Sequence, residues 1–419
     1  MSSLLNPDSL DFLETMTRDV LEASTLHPGQ WVRPPFRDGL PDVVNHLPID
    51  VVRPGGRSCY PALWTRDFVM SLECGMVSPE TARSNFLLLA SHQASKRLEF
   101  PAGGVVEPGM LPDHISLDNE PIYFPGTYFY AEQGAWGKRA AFDDNFYFIE
   151  GAWLVPGLQL DALFPKLVKA FDAIPSDEEG VLVECSDDNR GISFGFTDSI
   201  VHTGKLMFAS LLKCRAARRL SQIAEKLDDL AAHKHYSALE ARIREAIPAV
   251  FITPQGLLKA STGKSSQTDV WGSAFAVYEN LVPDELHSVI GKALAELLRD
   301  GEISYKGHIR HIPLHEGYWD SALSQRDRYQ NGAYWGTPTG WVARAIEHCN
   351  HAAASALFEE FIDDMKSNDF RLGDNFGAPY ECIGKDGYAQ NPVYLTSVAC
   401  PYAAAIRQDM HERQDSTIA

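Results

Sequence analysis

Cysteine is scarce in this chain, and its spacing is not that of a structural site. Seven cysteines are spread over 419 residues, and none belongs to a Cys-x-x-Cys pair. This odd, scattered set argues against a disulfide framework and against a zinc ribbon. We expect free, buried thiols in a reducing compartment, which predicts a cytoplasmic location.

Long apolar runs and an excess of positive charge are also absent. No stretch approaches the roughly 18 apolar residues of a membrane span, so none is expected. The N-terminal segment lacks a basic stretch followed by an apolar one, and we therefore expect no signal peptide. The net charge of −19 opposes phosphate backbones and argues against nucleic acid as a partner.

Motifs for bound cofactors are missing as well. The Gly-rich nucleotide-binding patterns and the Gly-x-Ser-x-Gly pattern of serine hydrolases do not occur. Asp113, His114 and Asp118 lie close together in sequence, but a metal site needs further ligands. We therefore expect neither a metal nor another cofactor.

Helical periodicity dominates what the chain does contain. Apolar residues recur at helical spacing over 205–227, 236–250, 285–298 and 352–365. Strand-like alternation is limited to short stretches such as 180–184 and 309–314. The fold is therefore predicted to be mainly all-α.

Six aromatic-rich segments each precede a predicted helix. These segments begin at Tyr60, Phe142, Phe194, Asp269, Tyr329 and Val393. Six helical hairpins closed into a ring would place the N-termini of six inner helices on one face. We predict an (α/α)6 toroid, a single domain over 1–419 whose ring spans about residues 10–410. An irregular two-domain helical protein is the alternative that this imperfect repeat leaves open.

The same helix starts combine charged and aromatic side chains, which suits a saccharide. Carboxylates, amides and guanidinium groups can bind sugar hydroxyls, and flat rings can stack on the apolar sugar faces. Adjacent Arg66 and Asp67 can serve two neighbouring hydroxyls. The predicted saccharide-binding residues are Trp64, Arg66, Asp67, Asp144, His202, Trp271, Asn331, Tyr334 and Trp335, with Tyr123, Tyr128 and Trp136 as further aromatic candidates.

Several of these segments resemble known enzymes. The sequence YPALWTRD at 60–67 resembles the Trp-Thr-Arg-Asp segment of glucoamylases, which implies that Arg66 and Asp67 hold the sugar at subsite −1. The segment 329–335 is similar to the Tyr-Trp-Arg-Gly-Pro-Ile-Trp segment of processing α-glucosidases and trehalases, except that Asn331 stands where Arg is usual. Segments 194–199 and 375–404 resemble the parts of these enzymes that carry the catalytic acid and base. The resemblance implies the six-hairpin glycosidase superfamily, inversion of configuration, and these two roles for Asp198 and Glu381.

The residues themselves favour the same two carboxylic acids but leave rivals. Phe194 and Phe196 would desolvate Asp198 and favour its protonated form, although an aspartate here also fits a helix N-cap. Glu381 is expected in a Gly- and Pro-punctuated loop over 373–387, where an exposed loop residue is the alternative. The rival carboxylic acids are Asp113, Asp143, Asp144 and Glu316.

The sequence therefore predicts a glycoside hydrolase that cleaves a small saccharide with Asp198 as acid and Glu381 as base. A sugar 2-epimerase or polysaccharide lyase on the same toroid is the first alternative, because epimerisation needs an acid–base pair of histidines. The histidines that keep this alternative open are His114, His202, His308, His311 and His315. A non-catalytic carbohydrate-binding protein is the second alternative. A homo-oligomer is compatible with the sequence.

Overall fold

The computed structural model describes residues 3–32, 42–57, 59–127 and 135–407, so the aromatic candidate Tyr128 lies outside the described residues. The α-helices in the described part of the chain are α1 (Pro7–Ser24), α2 (Thr65–Leu72), α3 (Pro79–Ser91), α4 (Asp143–Leu154), α5 (Leu160–Asp172), α6 (Met207–Lys226), α7 (Leu230–Phe251), α8 (Val270–Tyr278), α9 (His287–Arg299), α10 (Thr339–Glu347), α11 (His351–Ser367) and α12 (Thr396–Ile406).

The even-numbered helices form a closed inner ring. Helix α2 packs on α4, α4 on α6, α6 on α8, α8 on α10, α10 on α12, and α12 returns to α2. The odd-numbered helices form an outer layer, in which α5, α7, α9 and α11 each pack on inner helices. Each of the six aromatic-rich segments leads into one inner helix. The predicted mainly α-helical toroid is confirmed, and the single domain over 1–419 stays a prediction.

Residue composition explains which helices lie inside. All nine residues of α8 are buried, because this helix lies between its ring neighbours and the outer layer. The outer helix α9 buries only one side, through Ile290, Gly291 and Leu294, and presents its polar residues to solvent. Outer helices also begin at side-chain caps, such as Asn6 for α1 and Asn350 for α11.

Short antiparallel strands connect the helices. They are β1 (Thr25–Leu26), β2 (Trp31–Val32), β3 (Val43–Val44), β4 (Val51–Val52), β5 (Ala62–Trp64), β6 (Leu98–Glu99), β7 (Val105–Val106), β8 (His114–Ser116), β9 (Pro121–Ile122), β10 (Glu184–Cys185), β11 (Gly204–Lys205), β12 (Ser304–Tyr305), β13 (His308–Arg310), β14 (Tyr334–Trp335), β15 (Tyr380–Ile383) and β16 (Ala389–Pro392). The alternation expected at 180–184 and 309–314 corresponds only in part to β10 and β13.

Strands β12 to β16 form one five-stranded sheet in chain order. In its register Ile309 pairs with Trp335, and Tyr334 pairs with Ile383. Glu381 lies on β15, so its expected placement in a loop was wrong. The sheet brings together chain segments that the ring alone would leave as separate loops, and this gives Glu381 a fixed backbone.

A cluster of ion pairs joins the inner helices toward their C-terminal ends. The buried Arg215 Nη1 lies 3.2 Å from Glu73 Oε1, at the end of α2. Arg215 Nε lies 3.5 Å from Glu150 Oε2 on α4. Arg407, at the end of α12, pairs at 2.9 Å with Glu279, at the end of α8. The carboxylates at this end of the ring therefore have cationic partners. None of the helices in the described residues is both long and apolar enough to cross a membrane.

Candidate active site

A pocket lies where inner helices begin. Segments that lead into α2, α6, α10 and α12 build its wall, together with β15. Its empty volume, which includes space open to solvent, is about 370 Å³. The lining residues are Pro54, Tyr60, Trp64, Arg66, Asp67, Gly195, Phe196, Asp198, Tyr329, Glu381 and Tyr394. The predicted acid and base, which are far apart in sequence, thus share one pocket.

Glu381 is buried and surrounded by hydrogen-bond donors. The Tyr60 hydroxyl donates to Oε1 at 3.1 Å, and Asn391 Nδ2 donates to Oε2 at 2.5 Å. Gln390 Nε2 adds a longer contact of 3.4 Å to Oε2. Burial raises the pKa of Glu381 to about 8, while the Asn391 and Tyr60 donors act in the opposite direction. The donors can therefore stabilise a carboxylate in a site that burial alone would keep neutral.

Asp198 follows a single 3-10 turn, Gly195–Thr197. It is not the N-cap of the next helix, because α6 begins only at Met207. Burial raises the pKa of Asp198 to about 7, and the positive charge of Arg66 opposes this rise. The Oδ1 atom of Asp198 is buried and has no hydrogen-bond partner among the described residues. Asp198 thus combines a proton available near neutral pH with an oxygen free to engage a substrate.

Arg66 lies among three buried carboxylic acids. Its Nε lies 2.8 Å from Asp143 Oδ2, and its Nη2 lies 3.0 Å from Asp113 Oδ1 and 3.8 Å from Asp144 Oδ1. Gly195 provides the space for this arrangement, since a Cβ atom there would collide with the Arg66 guanidinium group. These contacts fix the direction of the guanidinium group, which also lines the pocket.

Asp67, which follows Arg66, and Trp64, two residues before it, contribute an acid and an aromatic ring. The Tyr394 hydroxyl donates to Asp67 Oδ1 at 2.8 Å, and burial raises the pKa of Asp67 to about 6. Trp64 stacks on His114 with ring centroids 4.1 Å apart. Its indole Nε1 is buried without a partner among the described residues. Trp64 therefore offers both a flat ring and an unused donor.

Strained backbone surrounds Glu381. Tyr60, Tyr329, Asn391 and Val393 have φ angles of 49°, 46°, 46° and 61°, in the left-handed region that side chains normally avoid. For a β-branched residue such as Val393 this conformation is exceptional. Such strain persists only where the surroundings enforce it, and it is concentrated at functional sites in proteins. Left-handed residues also occur elsewhere, such as Asn280 after α8, but these four lie close to Glu381 and favour this end of the ring as the candidate site.

Six of the predicted saccharide-binding residues do not line the pocket. They are Asp144, His202, Trp271, Asn331, Tyr334 and Trp335. Trp271 and Trp335 have no exposed surface and pack on Phe196, with ring centroids 6.0 and 5.6 Å away. Their predicted stacking on a sugar is corrected accordingly, because they support a lining residue from behind.

The other residues of that group also occupy internal positions. Asn331 Oδ1 accepts a hydrogen bond from the Trp319 backbone N–H at 3.2 Å. His202 packs edge-on against Trp319, and Tyr334 lies buried on β14. Asp144 is fully buried beside Arg66. Any contact that these residues make with a saccharide stays a prediction.

The remaining candidates lie outside the pocket lining. Glu316, a rival carboxylic acid, accepts from the Thr268 backbone N–H at 2.9 Å. Tyr123 donates to a backbone carbonyl, and Trp136 packs on an aromatic neighbour. No group of three or more histidines, cysteines or acidic residues that could hold a metal ion occurs in the part of the chain that the structure describes.

Sequence reasoning missed the tyrosines of the pocket. Tyr60, Tyr329 and Tyr394 all line it, and Tyr60 and Tyr394 donate to carboxylates. Each lies within or at the start of an aromatic-rich segment, so the signal was present but was assigned to stacking. Gly195, whose missing side chain admits Arg66, gave no signal beyond its place between two phenylalanines.

Comparisons with known proteins identify the fold. No protein-family model and no curated protein sequence matches this chain. Among solved structures, a rhamnosidase from Klebsiella oxytoca with rhamnose bound is 14% identical, with a TM-score of 0.57. The match covers 97% of this chain and 65% of that enzyme.

Two further structures extend the comparison. A GH63 mannosylglycerate hydrolase from Thermus thermophilus in complex with glucose is 15% identical with a TM-score of 0.56, covering 93% of this chain and 99% of that one. The Streptomyces avermitilis alpha-L-rhamnosidase complexed with L-rhamnose has a TM-score of 0.52 at 14% identity; the match covers 95% of this chain and 31% of that one. At these identities the similarity shows the fold alone, which is the closed ring of inner and outer helices described above.

Replacing Arg66 with lysine tests the guanidinium geometry. Lysine keeps the charge but cannot contact Asp143 and Asp113 through a planar fork. We expect Arg66→Lys to lower kcat/KM for a cleaved glycoside by about 10²-fold, equivalent to about 2.7 kcal/mol of transition-state stabilisation. Steady-state kinetics measure this loss, with Arg18→Lys, in an exposed pair with Glu14, as the control. Wild-type kinetics in Arg66→Lys would refute the role.

Proposed function

We propose that this chain is a glycoside hydrolase that cleaves a small saccharide with inversion of configuration. The observation that carries the proposal is the meeting of Asp198 and Glu381, from two distant segments, in one small pocket. Trp64 and Arg66 in the same pocket supply a flat ring and a cation for a sugar. Glycoside hydrolysis requires a proton donor and a second carboxylate, and this pocket offers both.

Hydrogen bonding supports the division of roles. Glu381 receives donors from Tyr60 and Asn391, which favour a carboxylate able to activate water. Asp198 has an oxygen without a partner among the described residues, which suits a group that hands a proton to the leaving oxygen. Burial raises the pKa of both groups, to about 7 for Asp198 and about 8 for Glu381, so the hydrogen bonds rather than the pKa values carry this division. In an inverting enzyme the two carboxyl groups stand roughly 6.5–9.5 Å apart, leaving room for the water.

The solved neighbours support a carbohydrate substrate in a coarse sense. The ligands bound in those structures are rhamnose and glucose, each a single sugar. The pocket of this chain is correspondingly small. We propose that it holds one sugar ring, with the bond to be cleaved near Asp198.

Two of the five candidate histidines do not suit the epimerase. His202 and His311 are buried outside the pocket lining. Burial lowers the pKa of His202 to about 3 and that of His311 well below its usual value. Both rings therefore stay neutral at physiological pH and lack the proton that an acid–base pair would exchange.

Replacement of each carboxylic acid tests the proposal. A panel of aryl glycosides and disaccharides first identifies a cleaved substrate, through release of monosaccharide. We expect Asp198→Asn and Glu381→Gln each to lower kcat by about 10²- to 10⁴-fold, the usual contribution of general acid–base catalysis. In Glu381→Ala, azide should partly restore turnover by occupying the vacated space.

Glu316→Gln is the matched control, since Glu316 lies outside the pocket lining. This variant should keep wild-type turnover. If Asp198→Asn and Glu381→Gln both keep near-normal activity, the assignment is wrong, and Asp144 becomes the next carboxylic acid to examine.

The pH dependence follows from the raised pKa values of about 7 for Asp198 and about 8 for Glu381. Activity should fall at low pH as Glu381 becomes protonated, and at high pH as Asp198 becomes ionised. We expect a bell-shaped profile of kcat/KM with its maximum between about pH 7 and pH 8, described by two apparent pKa values that belong to the pair. An optimum near about pH 4 would contradict burial as the dominant influence.

A further inference from the structure

A buried amide holds the turn that carries Asp198. Gln330 is fully buried, and its Oε1 accepts from the Ser199 backbone N–H at 2.7 Å and from the Ser199 hydroxyl at 2.8 Å. Its Nε2 donates to the Gly195 carbonyl at 3.0 Å. One side chain thus joins both ends of the segment 195–199, and Asp198 lies inside that segment.

Gln330 is itself held in place by its own segment. Trp319 Nε1 donates to the Gln330 carbonyl at 3.1 Å, and the Asn331 N–H donates to the Arg328 carbonyl at 2.9 Å. The preceding residue, Tyr329, has a φ of 46°, and its carbonyl accepts from a tryptophan indole at 3.3 Å. The backbone around Gln330 therefore has little freedom to shift.

Tyr329 reaches the other catalytic group. Its side chain lines the pocket, and its hydroxyl lies beside that of Tyr60. Tyr60 in turn donates to Glu381 at 3.1 Å. Two consecutive residues of one strained segment thus face the two carboxylic acids, Tyr329 toward Glu381 and Gln330 toward Asp198.

We propose that the pair Tyr329–Gln330 is a spacer that sets the position of Asp198 relative to Glu381. The inference rests on the hydrolase function proposed above and assigns both residues a positioning role rather than a part in proton transfer. A displacement of about 1 Å in a catalytic group can cost about 10²-fold in rate. Because Gln330 fixes the turn at both ends, its loss should move the proton donor and leave the base in place.

The test of Gln330 uses two substrates with the same sugar, one with an alkyl leaving group and one with dinitrophenolate. An activated leaving group departs without full protonation, so it needs the acid less. We expect Gln330→Met to lower kcat for the alkyl glycoside by about 10²-fold and for the dinitrophenyl glycoside by about threefold or less. Gln330→Glu, which keeps an acceptor for Ser199 but loses the donor to Gly195, should show the same preference.

Two further variants, Tyr329→Phe and the control Asn85→Leu, complete the test. Tyr329→Phe should lower kcat for both glycosides by a similar factor, because the base serves either leaving group. Asn85→Leu removes an equally buried amide on α3, which accepts from the Val52 N–H, and should change neither rate. Circular dichroism and the thermal midpoint of each variant verify folding.

Two outcomes separate this inference from the proposed function. If the wild type cleaves both glycosides but folded Gln330→Met or Gln330→Glu loses activity equally on both or keeps it on both, Gln330 is not a positioning residue for the acid, and the hydrolase function stands. If the wild type cleaves no glycoside of the panel, the proposed function fails and the inference fails with it.

Discussion

Burial of carboxylic acids at one end of the helical ring governs the rest of the site. Desolvation is the largest influence on the pKa values of Asp67, Asp198 and Glu381, and it raises all three. An ionised carboxylate in such surroundings needs donors or cations in place of water. Arg66, Tyr60, Tyr394 and Asn391 supply them, and they come from different parts of the chain.

The buried carboxylic acids at the two ends of the ring have different kinds of partner. Toward the C-terminal ends, Glu73, Glu150 and Glu279 have arginine partners, and the cluster joins inner helices to one another. At the N-terminal ends, polar atoms remain unpartnered among the described residues, including Asp198 Oδ1 and Trp64 Nε1. Buried polar groups are normally satisfied. Unsatisfied atoms also occur elsewhere, such as Arg215 Nη2 in the ion-pair cluster, so it is their place in residues that line the pocket that makes Asp198 and Trp64 candidate ligand contacts.

The sequence allowed prediction of the ring but not of the strands that complete the pocket. An aromatic-rich segment leads into each of the six inner helices. A buried inner helix is apolar along its length, so these segments could be recognised in the sequence. Arg66 and Asp67, from the segment 60–67, line the pocket, and their contact with a saccharide stays a prediction. Strand β15 has four residues and no clear alternation, so nothing local indicated that Glu381 belongs to a sheet.

The burial of individual aromatic side chains was the second feature that could not be predicted from the sequence. Trp271 and Trp335 stand in segments as aromatic as that of Trp64, yet they are buried behind Phe196, while Trp64 lines the pocket. Tertiary packing decides which of these tryptophans reaches the pocket, and the local sequence does not show it. The positioning contacts of Gln330 are of the same kind, since they join residues more than a hundred positions apart.

The configuration of the first-formed sugar tests the central claim most directly. Proton NMR of a cleaved glycoside, recorded before mutarotation, distinguishes the two anomers. The account predicts a product of opposite anomeric configuration to the substrate, because Glu381 activates a water molecule on the face opposite the leaving group. A product of retained configuration would contradict it, since retention requires a carboxylate to bond directly to the anomeric carbon.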